Sequence, residues 1–301
     1  MENEKIKAEG FQVLPCRKDL GGGLITIIGT GLIGGSLGLV LKDKGLAKHI
    51  IAVDNNAENQ QKTLKLGIAD EVLPLKEAIA KSNLIVLAVP VDALYKLLPT
   101  VLDEVTNQVV MDMGSTKEGV INLVANHPKR KRYVATHPMW GTEYSGPEAA
   151  VKTAFADKAT VICDAENSDE DALELVKAMY KAIGMHLIYM DATAHDLHAA
   201  YVSHISHITS FALANTVLEK EKEDEAIFEL ASGGFESTVR LAKSNPAMWV
   251  PIFMQNRENV LDVLNEHISQ LRKFKSCLEK ENYEYLHELI ENANGIKRIL
   301  K

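Results

Sequence analysis

His137 stands in Thr136-His137-Pro138-Met139-Trp140-Gly141-Thr142-Glu143-Tyr144-Ser145-Gly146-Pro147, just behind an apolar run and ahead of a glycine-bearing loop. Imidazole titrates closest to neutrality of the common side chains, so at a strand end it suits a general base. A histidine satisfied within the structure is the other reading, and the residue alone leaves both open. The preceding apolar run ends in Asp112-Met113-Gly114-Ser115-Thr116-Lys117, which offers the Ser115 hydroxyl where an open α/β sheet gathers its ligands. Further on come four histidines within 13 residues (His195, His198, His204 and His207), and a lone arginine, Arg240, six residues after Gly233-Gly234.

A different chemistry is written at the start. Gly29-x-Gly31-x-x-Gly34 follows the first apolar run and opens a helical pattern. The first glycine permits a tight turn, the second lets backbone approach a pyrophosphate, and the third lets helix and strand close up. The helix N-terminus then meets the negative charge. Asp54 ends the next apolar run, 20 residues after Gly34, as a dinucleotide fingerprint requires. A carboxylate there accepts from ribose hydroxyls and repels a 2′-phosphate, and Asn55 and Asn56 supply no positive charge. NAD is therefore expected rather than NADP. Leu32 and Ile33, opening the helix, and Val89 and Pro90, closing the third strand, complete the expected cofactor contacts.

The elements that must hold these residues follow from the apolar pattern. Strands are predicted at 24–28, 50–54, 84–89, 109–113 and 133–136, separated by helices at 32–41, 57–66, 92–104 and 117–125. Uniformly apolar strands alternating with helices imply a doubly wound parallel sheet covered on both faces. Strands at 159–163 and 186–190, flanking a helix at 168–183, would extend it. Beyond about 190 no strand-like run returns, and apolar residues recur at helical spacing. The expected architecture is an α/β Rossmann-type domain over 1–190, with a short polar leader, and an all-α domain over 191–301. Breaks in the helical part are expected at 219–225, at Gly233-Gly234 and at Asn245-Pro246. There is no internal repeat or low-complexity tract.

Composition narrows the partners. A net charge of −8 argues against a general nucleic-acid binder, and the basic run Lys129-Arg130-Lys131-Arg132 reads as a solvated loop. Three scattered cysteines without C-x-x-C spacing suit reduced thiols and a cytoplasmic address. The charged first ten residues lack the apolar core of a signal peptide. Residues 24–41 run 18 residues without a charge, the nominal length of a membrane span, but five glycines interrupt them and an acidic-ended strand follows. No membrane association is expected. Nor is a four-histidine metal site: on a straight helix His195 and His198 share one face and His204 and His207 the opposite one, so the four cannot converge, which leaves open one pair with a carboxylate.

Taken together, the glycine fingerprint, the segments around Ser115 and His137, and the helical stretch His195-Asp196-x-x-x-x-x-x-Ser203-His204-x-x-His207 resemble the prephenate dehydrogenase family over about residues 24–300. The resemblance implies an NAD-dependent oxidative decarboxylation of prephenate in tyrosine biosynthesis. It also implies an active site between the domains and a homodimer formed through the helical one. It assigns His137 as acceptor of the substrate C4 hydroxyl proton and Ser115 as the group orienting both. His207 and Arg240, with His204 beside them, become the substrate contacts. Arg240 would grip a carboxylate by a two-pronged contact that lysine does not reproduce.

Some positions depart from the family pattern. Glu236 and Ser237 replace a basic and an acidic residue, which puts a gating ion pair in doubt. Trp140 and Tyr144 stand where many relatives have a small residue and a lysine, so an altered pocket wall is expected. Neither an amino-acid-binding regulatory domain nor a fused mutase is expected. Three alternatives stay open. One is arogenate as substrate, which differs from prephenate only at the side-chain carbonyl. The second is a β-hydroxyacid or imine-type dehydrogenase, for which Lys243 is the tempting catalytic lysine. The third is an NAD-sensing protein without chemistry, against which His137 and Ser115 speak.

Overall fold

The computed structural model describes residues 23–222 and 225–299. The polar leader and Cys16 lie outside the described residues. The first half alternates strand and helix: β1 Leu24–Ile28, α1 Leu32–Asp43, β2 His49–Val53, α2 Ala57–Lys65, β3 Glu71–Val72, α3 Leu75–Lys81, β4 Leu84–Leu87, α4 Val91–Glu104, β5 Val109–Asp112, α5 Glu118–Leu123 and β6 Tyr133–Pro138. β7 Ala159–Cys163, α6 Glu170–Ala182 and β8 His186–Met190 complete the sheet. Its order is β3-β2-β1-β4-β5-β6-β7-β8. The chain winds outward from β1 to β3, then returns past β1 to lay down β4. The C-terminal ends of β1 and β4 therefore flank the crevice where such sheets bind ligands.

Period-two alternation builds a core on each face. Ile25 and Ile27 of β1 join Leu84 and Val86 of β4 beneath α1 and α6, with Leu37, Leu41, Val176 and Met179. Ile28, Ile85 and Leu87 point the other way, onto Ile79, Leu94, Leu98 and Val101 of α3 and α4. The uncharged stretch 24–41 is thus one buried strand and one buried helix. Among the described residues no helix is long and apolar enough to cross a membrane.

Two strand expectations change. β7 pairs antiparallel with β6, so β7 and β8 run against the rest of the sheet instead of extending it in parallel. The reason lies in residues 139–158, which contain no crossover α-helix and lie instead against α1 and α2. Val151 N–H donates to Ser36 Oγ of α1 at 3.0 Å, and Lys62 of α2 pairs with Glu148 at 2.8 Å. β3 is only two residues long and leaves no apolar pattern to read.

The remainder is helical: α7 Ala192–Ala199, a π-helical turn over Ala200–His204, α8 Ile205–Glu221, α9 Gly233–Val239, α10 Pro246–Gln255, α11 Arg257–Glu279 and α12 Tyr283–Ala293. Asn245 caps α10 through Ala247 N–H at 2.9 Å, and Pro246 takes its first position, where the missing N–H costs nothing. Little of this half is buried. Leu218, Val250, Met254, Leu271, Leu278 and Ile290 are all exposed.

Candidate active site

The glycine-rich turn is built as its spacing requires. Gly29 has φ +87, and a Cβ there would stand 2.6 Å from the Ala88 carbonyl oxygen at the end of β4. A Cβ on Gly34 would stand 2.1 Å from the Gly29 carbonyl oxygen, so α1 closes onto β1 only with glycine. At Gly31 a Cβ would meet nothing within 4 Å. Gly31 also heads α1 without a side-chain cap, so the first N–H groups of Leu32 and Ile33 are open to an anionic ligand. Val89 and Pro90 lie across the turn, Val89 close beside Gly29. Asp54, past the end of β2, accepts from Thr30 N–H at 3.1 Å and from Asn56 N–H at 2.9 Å. It braces the turn while keeping acceptor capacity for ribose hydroxyls. This cradle fits a dinucleotide.

Two strands along, β5 ends in a polar knot. The Asp112 carboxylate is fully buried. It accepts from Tyr133 OH at 2.8 Å, Thr136 N–H at 3.1 Å and Gly114 N–H at 2.9 Å. It also pairs with the equally buried Lys117 ammonium. β6 pairs with β5 only through Tyr133 and Val134, so the Asp112 side chain takes over where the strands separate. The knot fixes both the loop carrying Ser115 and the strand carrying His137.

His137 is half-buried. Its Nδ1 lies 2.8 Å from Nε2 of His195, and His195 Nδ1 lies 2.8 Å from Oδ1 of Asp196. Asp196 in turn accepts the Lys117 and Glu118 N–H groups at 2.8 and 2.9 Å, capping α5, whose own N-cap side chain makes no such bond. Asn256, between α10 and α11, donates to the Asp196 carbonyl at 2.6 Å and lies 3.2 Å from His204 Nδ1. Strand β6, helix α5 and the helical half thus meet in one network. Burial first, then the neighbouring His195 ring and the Lys117 ammonium, hold His137 well below the ordinary histidine pKa. Its Nε2 has no hydrogen-bond partner among the described residues.

The other expected site residues are placed unevenly. Ser115 is half-buried at the end of β5, but no hydrogen bond joins it to His137, whose ring partner is His195. His204 is buried against Asn256 and the Trp249 edge, and burial pushes its pKa down to about 4. That position makes it part of the packing beneath the site. His207 stacks on Trp249 with ring centroids 3.4 Å apart. Burial lowers its pKa and the nearby Arg240 charge adds to the effect, while the Ser203 carbonyl opposes both. Arg240 is exposed and pairs with Glu143 of the loop after β6 at 2.7 Å. An open cleft runs there between Glu143, Tyr144 and Ser145 on one wall and Lys243, Ser244 and Asn245 on the other.

The departures resolve differently. Trp140 packs edge-on against Phe155 within the core, and Tyr144 is 68% exposed. Glu236 is exposed and Ser237 only bonds back to the Gly234 carbonyl, so Arg240 and Glu143 carry the ion pair at this cleft.

The histidine phasing also changes. His195 and His204 are both buried, and Asn256 links the Asp196 carbonyl next to His195 with the His204 ring, whereas His198 is exposed. The π turn at Ala200–His204 is wound more loosely than an α-helix, so the phase of a straight helix does not carry across it. Among the described residues no three His, Cys, Asp or Glu side chains are grouped to hold a metal ion. His195, Asp196 and Asn256 were not singled out from sequence as site residues. The visible signal was a His-Asp pair heading the first helix after the sheet.

A glycine cradle at the β1/β4 crevice, a histidine at the same edge of the sheet and a helical half that closes over it define a two-domain, dinucleotide-binding dehydrogenase. Residues 37–189 match the prephenate dehydrogenase nucleotide-binding domain, and residues 191–292 the prephenate dehydrogenase dimerization domain. The chain belongs to the prephenate dehydrogenase family. It is 30% identical over 281 residues to the prephenate dehydrogenase of Bacillus subtilis, covering 91% of this chain and 75% of that one. It is 27% identical to the cyclohexadienyl dehydrogenase of Zymomonas mobilis, covering 92% and 96% of the two chains. The crystal structure of Aquifex aeolicus prephenate dehydrogenase with hydroxyphenyl propionate and NAD+ superposes with a TM-score of 0.84 at 30% identity, over 94% of this chain and 99% of that one.

Proposed function

We propose that this protein catalyses the NAD-dependent oxidative decarboxylation of prephenate to 4-hydroxyphenylpyruvate in tyrosine biosynthesis. The observation that carries the reading is His137. It stands at the sheet edge that holds the glycine cradle, with Nδ1 engaged and Nε2 unpartnered. NAD, when bound, takes up the hydride released from the ring carbon that bears the hydroxyl. His137 accepts the hydroxyl proton as that C–H bond breaks. Loss of the ring carboxylate as CO2 returns its electron pair to the ring, which becomes aromatic, and the phenolic oxygen recovers the proton. Ser115 holds the hydroxyl, and Arg240 with His207 holds the substrate's carboxylate end. Arg240 must first exchange Glu143 for the incoming carboxylate. Leu32, Ile33 and Gly31 hold the pyrophosphate, and Asp54 the adenosine ribose.

The boundary between the dinucleotide-binding and helical units falls near residue 190, between the end of β8 at Met190 and α7. A homodimer through the helical unit is supported by the dimerization-domain match and by the exposed leucines and isoleucines of α8 to α12. Light scattering that returned only monomer at micromolar concentration would overturn it. A cytoplasmic location is supported by the buried free thiols Cys163 and Cys277. The deciding assay is NADH formation with prephenate and arogenate offered separately. Turnover of prephenate is the expected result, and turnover of arogenate alone would move the assignment to the aminated substrate.

A further inference from the structure

Asp196 is an acceptor three times over. The Lys117 and Glu118 backbone N–H groups can only donate, and both donate to its carboxylate. The remaining contact, at Oδ1 2.8 Å from His195 Nδ1, is therefore filled by a proton on His195 Nδ1. A neutral His195 then presents a lone pair at Nε2, and the atom 2.8 Å away, His137 Nδ1, must carry the proton between them. His195 and Asp196 are both nearly inaccessible to water, at 2% and 3% exposed, so solvent does not compete for these bonds.

We propose that Asp196 and His195 are positioning residues that fix the tautomer of His137, with the proton on Nδ1 and the lone pair on Nε2, the atom left free to take a proton from substrate. The relay crosses the junction between the sheet and the helical half, so the base is set only when α7 is docked on β6. Once Nε2 takes the hydroxyl proton, the positive charge on His137 is met one ring away by the Asp196 carboxylate. The inference rests on the reading of His137 as base in the proposed reaction.

Asp196→Asn is the sharpest test. The Lys117 and Glu118 N–H groups reach different carboxylate oxygens, so the single amide oxygen keeps Glu118 while the NH2, standing at the Oδ1 position, releases Lys117 N–H and donates to His195 Nδ1. That forces the proton onto His195 Nε2, and His137 must then carry its proton on Nε2, the wrong side. A carboxylate-to-amide change behind a catalytic histidine acts in this way in the serine protease triad. With NAD and prephenate, kcat is expected to fall by about 10²-fold or more, with KM moving by less than about threefold and folding retained. Nitrogen-15 NMR of histidine-labelled full-length protein is expected to show His137 protonated on Nδ1 in the wild type and on Nε2 in Asp196→Asn.

His195→Gln keeps an amide that donates to Asp196 and an oxygen that accepts from His137, so it is expected to retain far more kcat than His195→Leu. A wild-type His137 protonated on Nε2, or an Asp196→Asn protein with unchanged tautomer and kcat, overturns the proposal. So does a His195→Leu protein as active as His195→Gln. His137→Asn, assayed alongside, separates the two failures. If it keeps its kcat, the reading of His137 as base is what fails. If it loses kcat while Asp196→Asn does not, the relay fails alone.

Discussion

The Asp112 carboxylate and the Lys117 ammonium form an ion pair with no exposed surface, directly beneath the loop that carries Ser115. Removing one partner leaves an uncompensated buried charge. Lys117→Met is therefore expected to cost about 3–5 kcal/mol in chemical denaturation. Asp112→Asn combined with Lys117→Met should recover part of that loss. A single-variant loss below about 1 kcal/mol, the size of a surface ion pair, would mean the pair is solvated in the native protein.

Asp54 has two tasks, bracing Thr30 and receiving ribose hydroxyls. Asp54→Ala is expected to raise the Kd for NAD by about 10- to 100-fold, the worth of one or two hydrogen bonds to a charged group. The preference over NADP should narrow as the repelling charge is lost. A wild-type protein that turns over faster with NADP would overturn this use of Asp54.

Arg240 is exposed and, among the described residues, held only by Glu143, so its loss should cost little stability. As the carboxylate anchor it contributes equally to ground and transition states, so Arg240→Ala should raise the KM for prephenate by about 10- to 100-fold with a smaller change in kcat. An unchanged KM would remove Arg240 from the site.

Stability should fall on mild acidification. His204 is buried neutral with its pKa pushed down to about 4, whereas an unfolded histidine titrates near ~6.5. Between those values the unfolded chain binds a proton that the native state refuses, so stability present above pH ~6.5 is lost as pH falls towards about 4. Protonating His204 would also cost Nδ1 its contact with Asn256. Denaturation midpoints measured across this range should slope downward, and the slope should flatten in His204→Gln. Equal slopes in the two proteins would contradict the assignment.

The features legible in the sequence are those written in local pattern. The buried strands, the three glycines and Asp54 each follow from residues within one βαβ unit, and the fold places them as expected. The polarity of β7 was not legible, because residues 139–158 carry no periodicity that distinguishes a crossover from a fold-back. The histidine phasing failed for a related reason: the π turn at Ala200–His204 has no composition of its own, and the phase of a straight helix does not carry across it. His195 and Asp196 acquire their meaning only from contacts with His137 and Lys117, 58 and 79 positions away. In the sequence they stand only within the motif that carries the family resemblance, with no role of their own. Arg240 was identifiable as a candidate, but its pairing with Glu143, 97 positions distant, was not.

The central claim is that His137 is the base, and the most direct measurement is kcat for His137→Asn beside the Kd for NAD. Asparagine keeps some hydrogen bonding but does not take a proton, so kcat should fall by about 10² to 10⁴ while NAD binding survives. In the wild type the acid limb of the rate should lie below the ~6.5 of an ordinary histidine, since burial lowers the His137 pKa and the base is active when neutral. The variant's deficit should persist at alkaline pH, where the wild-type ring is fully neutral. Near-normal kcat in His137→Asn, or a loss of NAD affinity matching the loss of rate, would show that His137 holds the fold together and does not act on the substrate.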